Sequence, residues 1–289
     1  MLGGALQPSS VSQQAWPRPL PYLLNCWTSH LHVQWVDDRE CCMGDAGQVS
    51  FLSWCANTEC VYQTKIPSGA TLLGIILSSN KTNVSVLVGD QCAHPLLLGL
   101  ANLHMSTCLK LSSDTFLLTA LLLIPKFIHK SRRICGLLAD QLIHESLNIV
   151  LQLLKDAAHF GIMMNDPLRN LWFCLTPLAS YIVDIPEACM LAGVARKTSP
   201  ITTAMYKQFG NLYQHPLHKK PYMLKQLQQI NVNPNNLQWY LTTAQNLCLN
   251  GITFPFFRDW CMADPQGFWP QSRSMNGTRK SGTTLFSGP

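Results

Sequence analysis

The chain has 289 residues, with apolar side chains at 47% and charged ones at only 12%. That much apolar sequence excludes wholesale disorder, and that little charge leaves a surface suited to a partner. The formal charge of +6 leans toward polyanions such as DNA without selecting one.

Residues 1 to about 66 are expected to be poorly structured. Pro8, Pro17, Pro19 and Pro21 interrupt the start, and no helical or strand period follows between Trp27 and Ser53. Order begins at the turn signal Pro67-Ser68-Gly69. The run Ala70 to Ser79 is rich in β-formers and suits a strand buried on both faces. It ends in the polar Ser78-Ser79-Asn80-Lys81-Thr82, where a sheet presents side chains to a ligand. Val84 to Val88 reads as a second strand, turned by Gly89-Asp90. Phe116 to Ile124 reads as a third, stopped by Pro125, with a helix as the alternative.

Leu137 to Phe160 is the clearest helix. Leu138, Leu142, Leu147, Val150, Leu151 and Leu154 recur at three- and four-residue steps, and Gly161 supplies a stop. Asp140, Glu145, Lys155 and Asp156 read as its solvated face. Strand-like stretches follow at Leu171–Leu175 and Ala179–Val183, split by Pro177. The second delivers Asp184 just before a helix opened by Pro186-Glu187 and running through Val194. Further helices are expected around Leu224–Ile230 and Asn236–Leu249. An aromatic-rich stretch, Phe254 to Trp269, reads as packing in preference to base stacking.

The resulting fold class is α/β: a partial RNase H-like core, with a mixed sheet flanked by helices, a helical C-terminal extension and poorly ordered ends. Many α/β domains share that order of elements. The expected divisions are 1–66, a core over 67–200, a helical, aromatic-rich region over 201–270, and a tail over 271–289.

Two basic stretches are candidates for a phosphate backbone: Lys126, Lys130, Arg132 and Arg133 beside His129, and His215, His218, Lys219 and Lys220. Each competes with a solvated surface loop. The twelve cysteines are scattered, with no zinc-finger spacing, and read as reduced, mostly buried thiols. The sequons at Asn80, Asn83 and Asn276 carry little weight without a signal peptide. The longest apolar run, Phe116 to Pro125, covers about ten residues, and a membrane span needs about twenty. A soluble, intracellular chain, nuclear or cytoplasmic, is expected.

Six blocks carry a resemblance: GATLLGIILSSNKTNVS, AHPLLLGLANLHM, FLLTALLLIPKFIH, LIHESLNIVLQLLKDAAHFGIMMNDPLRNL, CLTPLASYIVDIPEACMLAGVARKTSPITTAMYKQFG and GITFPFFRDWCMADPQGFW. In this order and spacing, from about Ile66 to about Pro270, they resemble the Plavaka transposases of basidiomycete CACTA-like DNA transposons. The resemblance implies an RNase H-like fold in which three acids hold two divalent cations, Mg²⁺ or Mn²⁺, for DNA cleavage and strand transfer. It also implies DNA as a partner and self-association of the transposase. It equates Asp184 with the second acid and Asn80 with the first, where the family reads Asp. The third is expected downstream, past the end of this chain. Asn80 is otherwise an ordinary turn residue, and Asp184 an ordinary helix cap. Two functions follow: a degenerate, catalytically inactive transposase fragment, or a non-catalytic module that binds DNA or a transposase partner and acts by competition.

Overall fold

The computed structural model describes residues 67, 69–85, 91–103, 114–166, 169–213, 215–230 and 237–265. Both expected loose ends lie outside the described residues, as do 86–88 of the expected second strand. The strands are β1 (Thr71–Leu72), β2 (Ile75–Ser79), β3 (Thr82–Asn83), β4 (Cys92–Ala93), β5 (Pro95–Leu100), β6 (Leu117–Leu121), β7 (Ile162–Asn165), β8 (Leu171–Leu175) and β9 (Leu178–Ile182). The helices are α1 (Arg132–Val150), α2 (Gln152–Phe160), α3 (Ile185–Leu191), α4 (Lys220–Ile230) and α5 (Leu237–Asn246). The architecture is mixed α/β.

Two bent ribbons form the centre. β1 and β2 are halves of one extended segment, and β8 and β9 are halves of another. They pair in parallel, β1 on β8 and β2 on β9. The ladder crosses both bends: Leu73 N donates to the Leu175 carbonyl at 2.8 Å, and Ile75 N to that of Pro177 at 2.8 Å. Pro177 has no N–H and cannot sit inside an unbroken central strand, so the ribbon bends there. Buried Asn102 secures the facing bend. Its Oδ1 accepts from Gly74 N and its Nδ2 donates to the Leu72 carbonyl, each at 2.9 Å.

The larger sheet has the order β6-β5-β2-β9, with β6, β5 and β2 antiparallel and β9 parallel to β2. Helices α1 and α2 fill the connection between β6 and the β7–β8 hairpin. Register puts Ile75, Leu77 and Ser79 opposite Leu100, Leu98 and Leu96, and all six are buried. Ile143, Leu147, Leu151 and Leu154 from the helices join that core, as do Tyr181, Phe256 and Phe257. Each large apolar side chain so buried contributes about 1.5–3 kcal/mol.

The C-terminal aromatics are tied in by polar contacts as well. Trp260 is fully buried, and its Nε1 donates to the Thr176 carbonyl at 3.1 Å. His144 is also fully buried. Its Nδ1 accepts from Phe256 N at 3.0 Å, while Nε2 faces the Met190 carbonyl at 3.1 Å. Phe256, Phe257 and Trp260 thus act in packing, as expected of that stretch.

Several expectations need correction. Phe116–Ile124 contains a strand, not a helix, but it spans only Leu117–Leu121. Of the expected second strand, Val84 and Ser85 follow the short β3, and β2 lies between β5 and β9. The long helix starts at Arg132 and breaks at Leu151. Its inner face is formed by Ile143, His144 and Leu147, while Leu138 is 41% exposed. Lys155 is not solvated: it is 3% exposed, with Nζ donating to Asn148 Oδ1 at 2.6 Å. Among the described cysteines all are free; Cys174 and Cys189 are buried, and Cys92, Cys135, Cys248 and Cys261 are only partly so. Among the described residues no single helix is long and apolar enough to cross a membrane. By length and composition only, α1 and α2 together, bent by 54°, pass for a broken span.

Candidate active site

In open α/β sheets, ligands meet the carboxyl ends of parallel strands, where the chain leaves the sheet. Here those ends belong to β2 and β9. Their register pairs Leu77 with Tyr181 and Ser78 with Ile182. The ladder stops there, two residues short of Asn80 on one strand and two short of Asp184 on the other. Both are exposed.

Asp184 has a structural task in this position. It is the N-cap of α3, with extended backbone, and its Oδ1 accepts from Glu187 N at 2.9 Å. Pro186 in the first turn has no N–H to leave unpaired, and Glu187 adds the negative charge that a helix N-terminus favours. Sequence reasoning anticipated both features.

Glu187 also does something the sequence did not disclose. Its carboxylate lies under the strand ends, where Oε1 accepts from Ser79 Oγ at 2.5 Å and pairs with His94 Nε2 at 2.9 Å. The His94 and Glu187 side chains are 6% and 11% exposed. Tyr181 completes the cluster at 3.2 Å from Ser79 Oγ. Serine has one hydroxyl hydrogen, and the carboxylate takes it, so the Tyr181 hydroxyl is the donor to Ser79. Burial pushes the Tyr181 phenol well above its ordinary range. Four elements meet here: one carboxylate joins α3, through Glu187, to β2 through Ser79 and to the start of β5 through His94, and β9 is tied to Ser79 through Tyr181. The cluster is not a nucleophile relay. Ser79 donates directly to Glu187, and His94 spends Nε2 on the same oxygen, so the serine and histidine are not paired as nucleophile and base.

A pair of divalent cations needs carboxylates converging from both strand ends. Asn80 offers one neutral carbonyl oxygen, and one oxygen of Asp184 is engaged by α3. Glu187 faces inward. Among the described residues, no three of His, Cys, Asp and Glu gather closely enough to hold a metal ion. The donor set present does not fit a two-metal centre.

The candidate DNA contacts lie elsewhere. Lys126 and Lys130 stand in the segment before α1, and Arg132 and Arg133 in its first turn, all exposed. Arg133 Nη2 is partly committed, donating to the Leu241 carbonyl at 2.6 Å. In the second basic stretch, His218 is buried and Lys220 turns its Nζ to the Trp260 carbonyl at 2.8 Å. Only Lys219 of that stretch is exposed.

The site therefore belongs to a mixed α/β domain whose two central parallel strands end in an amide and a carboxylate, over a buried polar clamp. A family model described as Plavaka transposase matches residues 43–270, and the chain belongs to that family. No curated protein matches it.

Proposed function

We propose that this chain is a degenerate transposase of the CACTA-like, basidiomycete type, with an RNase H-like core that no longer cuts or joins DNA. The observation that carries the proposal is the position of Asn80 and Asp184, each two residues past the last paired residues of the parallel strands β2 and β9. The sheet order supports the RNase H-like reading: three antiparallel strands, a helical connection, then a strand parallel to the first. In the ancestral enzyme, acids at these two positions would share Mg²⁺ or Mn²⁺. The present residues do not fit that pair, and no reaction step is assigned to them.

A second reading follows from the exposed cations. Lys126, Lys130, Arg132 and Arg133 crowd the start of α1, which carries no acid in its first turn. The positive end of a helix disfavours cations, and a DNA phosphate would relieve the arrangement. A chain that holds DNA, or associates with an intact transposase, without cutting would act by competition inside the cell, in the nucleus where its DNA lies.

The experiment is a cleavage assay with Mn²⁺ on supercoiled and linear DNA, run beside a binding titration over salt. We expect no cleavage, and binding that weakens as salt rises. Cleavage that disappears in Asp184→Ala would overturn the inactive reading.

A further inference from the structure

From Ala188 to Arg258 the sequence contains no Asp or Glu, while seven Lys and Arg stand there. The folded loop between α3 and α4 displays this one-signed charge. It is a built structure: Tyr206 N donates to the Lys197 carbonyl at 2.8 Å, Thr203 N to that of Pro216 at 2.9 Å, and His218 N to that of Ile201 at 2.8 Å. Ser199 Oγ accepts from Ile201 N and Thr202 N at 3.2 and 3.1 Å.

What this loop turns outward is an alternation of rings and cations. Tyr206, Phe209 and Tyr213 are 49%, 54% and 63% exposed. Lys197, Lys207 and Lys219 are exposed among them. Lys197 Nζ lies 5.2 Å from the centre of the Tyr206 ring and Lys207 Nζ 5.9 Å from it. A ring with two ammonium groups beside it offers a base a stacking surface and its flanking phosphates a counter-charge. No carboxylate of this loop repels the strand. A duplex gains little here, because its bases are already stacked on one another.

We propose that the loop between α3 and α4 is a binding surface for an unpaired polynucleotide strand. Tyr206, Phe209 and Tyr213 stack on bases, and Lys197, Lys207 and Lys219 meet phosphates. That the strand is DNA rests on the transposase reading above. The loop begins where α3 ends, one short helix along the chain from Asp184.

The test uses the full chain and fluorescence anisotropy with labelled oligo(dT), oligo(U) and a duplex of equal length. Oligo(dT) should bind more tightly than the duplex. Tyr206→Ala and Tyr213→Ala should each weaken oligo(dT) binding about tenfold, with duplex binding and circular dichroism unchanged. Lys197→Gln with Lys207→Gln should lower the salt slope for oligo(dT) by about 1.4. Equal affinity for strand and duplex, indifferent to both tyrosines, overturns the surface while DNA binding through Lys126 to Arg133 stands. Tighter binding to oligo(U) overturns the assignment to DNA. A folded protein that binds none of the three overturns both this proposal and the DNA-binding reading.

Discussion

Two residues one helical turn apart on α1 are expected to pull stability in opposite directions as pH falls. His144 is fully buried, and burial pushes its imidazole from 6.5 down to about 4. The unfolded chain therefore takes up a proton that the folded chain refuses. Stability from neutral His144 is complete above pH 6.5 and is lost as pH falls toward 4, a total of about 3 kcal/mol. Asp140 is only partly buried, and burial raises its carboxyl from 3.8 to about 6, against the pull of Arg196. Here the folded chain takes the proton first, so acidification from 6 toward 3.8 returns stability. Partial exposure reduces that return to about 2 kcal/mol. Between about pH 7 and about pH 5, His144 should cost about 2 kcal/mol and Asp140 return about 1, leaving a net loss of about 1. Lys155, pushed down to about 8 by burial, titrates above this window. Asp259, held low by Arg258, titrates below it.

The assay is urea unfolding followed by far-ultraviolet circular dichroism at the two pH values, with each variant compared only with itself. Asp140→Asn should lose about 1 kcal/mol more than the wild type on acidification, because the carboxyl's return is gone while the loss from His218, also pushed down by burial, is common to both. His144→Gln keeps an amide able to donate and accept but cannot titrate, and its loss on acidification should be about 2 kcal/mol smaller than the wild type's. If both variants keep the wild-type pH dependence, buried titration on α1 is not what sets it.

Glu187→Ala should lower stability by about 2–4 kcal/mol in the same unfolding assay, because Ser79 and His94 lose a shared acceptor under the strand ends; a change under 0.5 kcal/mol would contradict the clamp, using the scatter usual for surface substitutions of about that size. Gly161→Ala should be among the most damaging single changes. The glycine has φ +74°, and an added Cβ would meet the Phe173 ring at 2.0 Å; a soluble variant with unchanged melting temperature would refute it.

Local signals were legible in the sequence wherever one segment carried its own reason. Leu171–Leu175 is a strand between those bounds, and Asp184 followed by Pro186 and Glu187 marks a helix start that the structure keeps. β5 escaped because Pro95 opens it and Pro-Leu-Leu-Leu-Gly-Leu shows no alternation; a proline is tolerated at the first residue of a strand, and burial on both faces erases the period. The bends at Gly74 and Thr176-Pro177 cut two long ribbons into pieces that read as separate short runs. Lys155 looked solvated because helical spacing cannot reveal that later residues such as Arg258 and Asp259 fold back over α2. Glu187 read only as a first-turn charge for a similar reason. Its partners are 108 and 93 residues away, and no local pattern predicts that Ser79 and His94 will converge on it.

That convergence separates the fold from the chemistry. The carboxylate holding the strand ends together belongs to Glu187, beneath the surface, while Asn80 stands exposed above it and takes no part in the clamp. Asp184 keeps α3 capped through a backbone N–H whether or not a second acid faces it. Replacing an acid at position 80 by Asn therefore removes no contact on which β2, β9 or α3 depends. On the reading proposed above, it also removes a second carboxylate from the ends of two neighbouring strands, a juxtaposition that favours folding only when a cation neutralises it. On that same reading, loss of charge at the first strand end removes a reason for metal to bind while leaving the clamp and the α3 cap in place. A chain that is inert, as proposed, can thus persist as a folded protein, and the exposed chemistry proposed for it is that of contact: cations at the start of α1, and rings and lysines on the loop beyond α3.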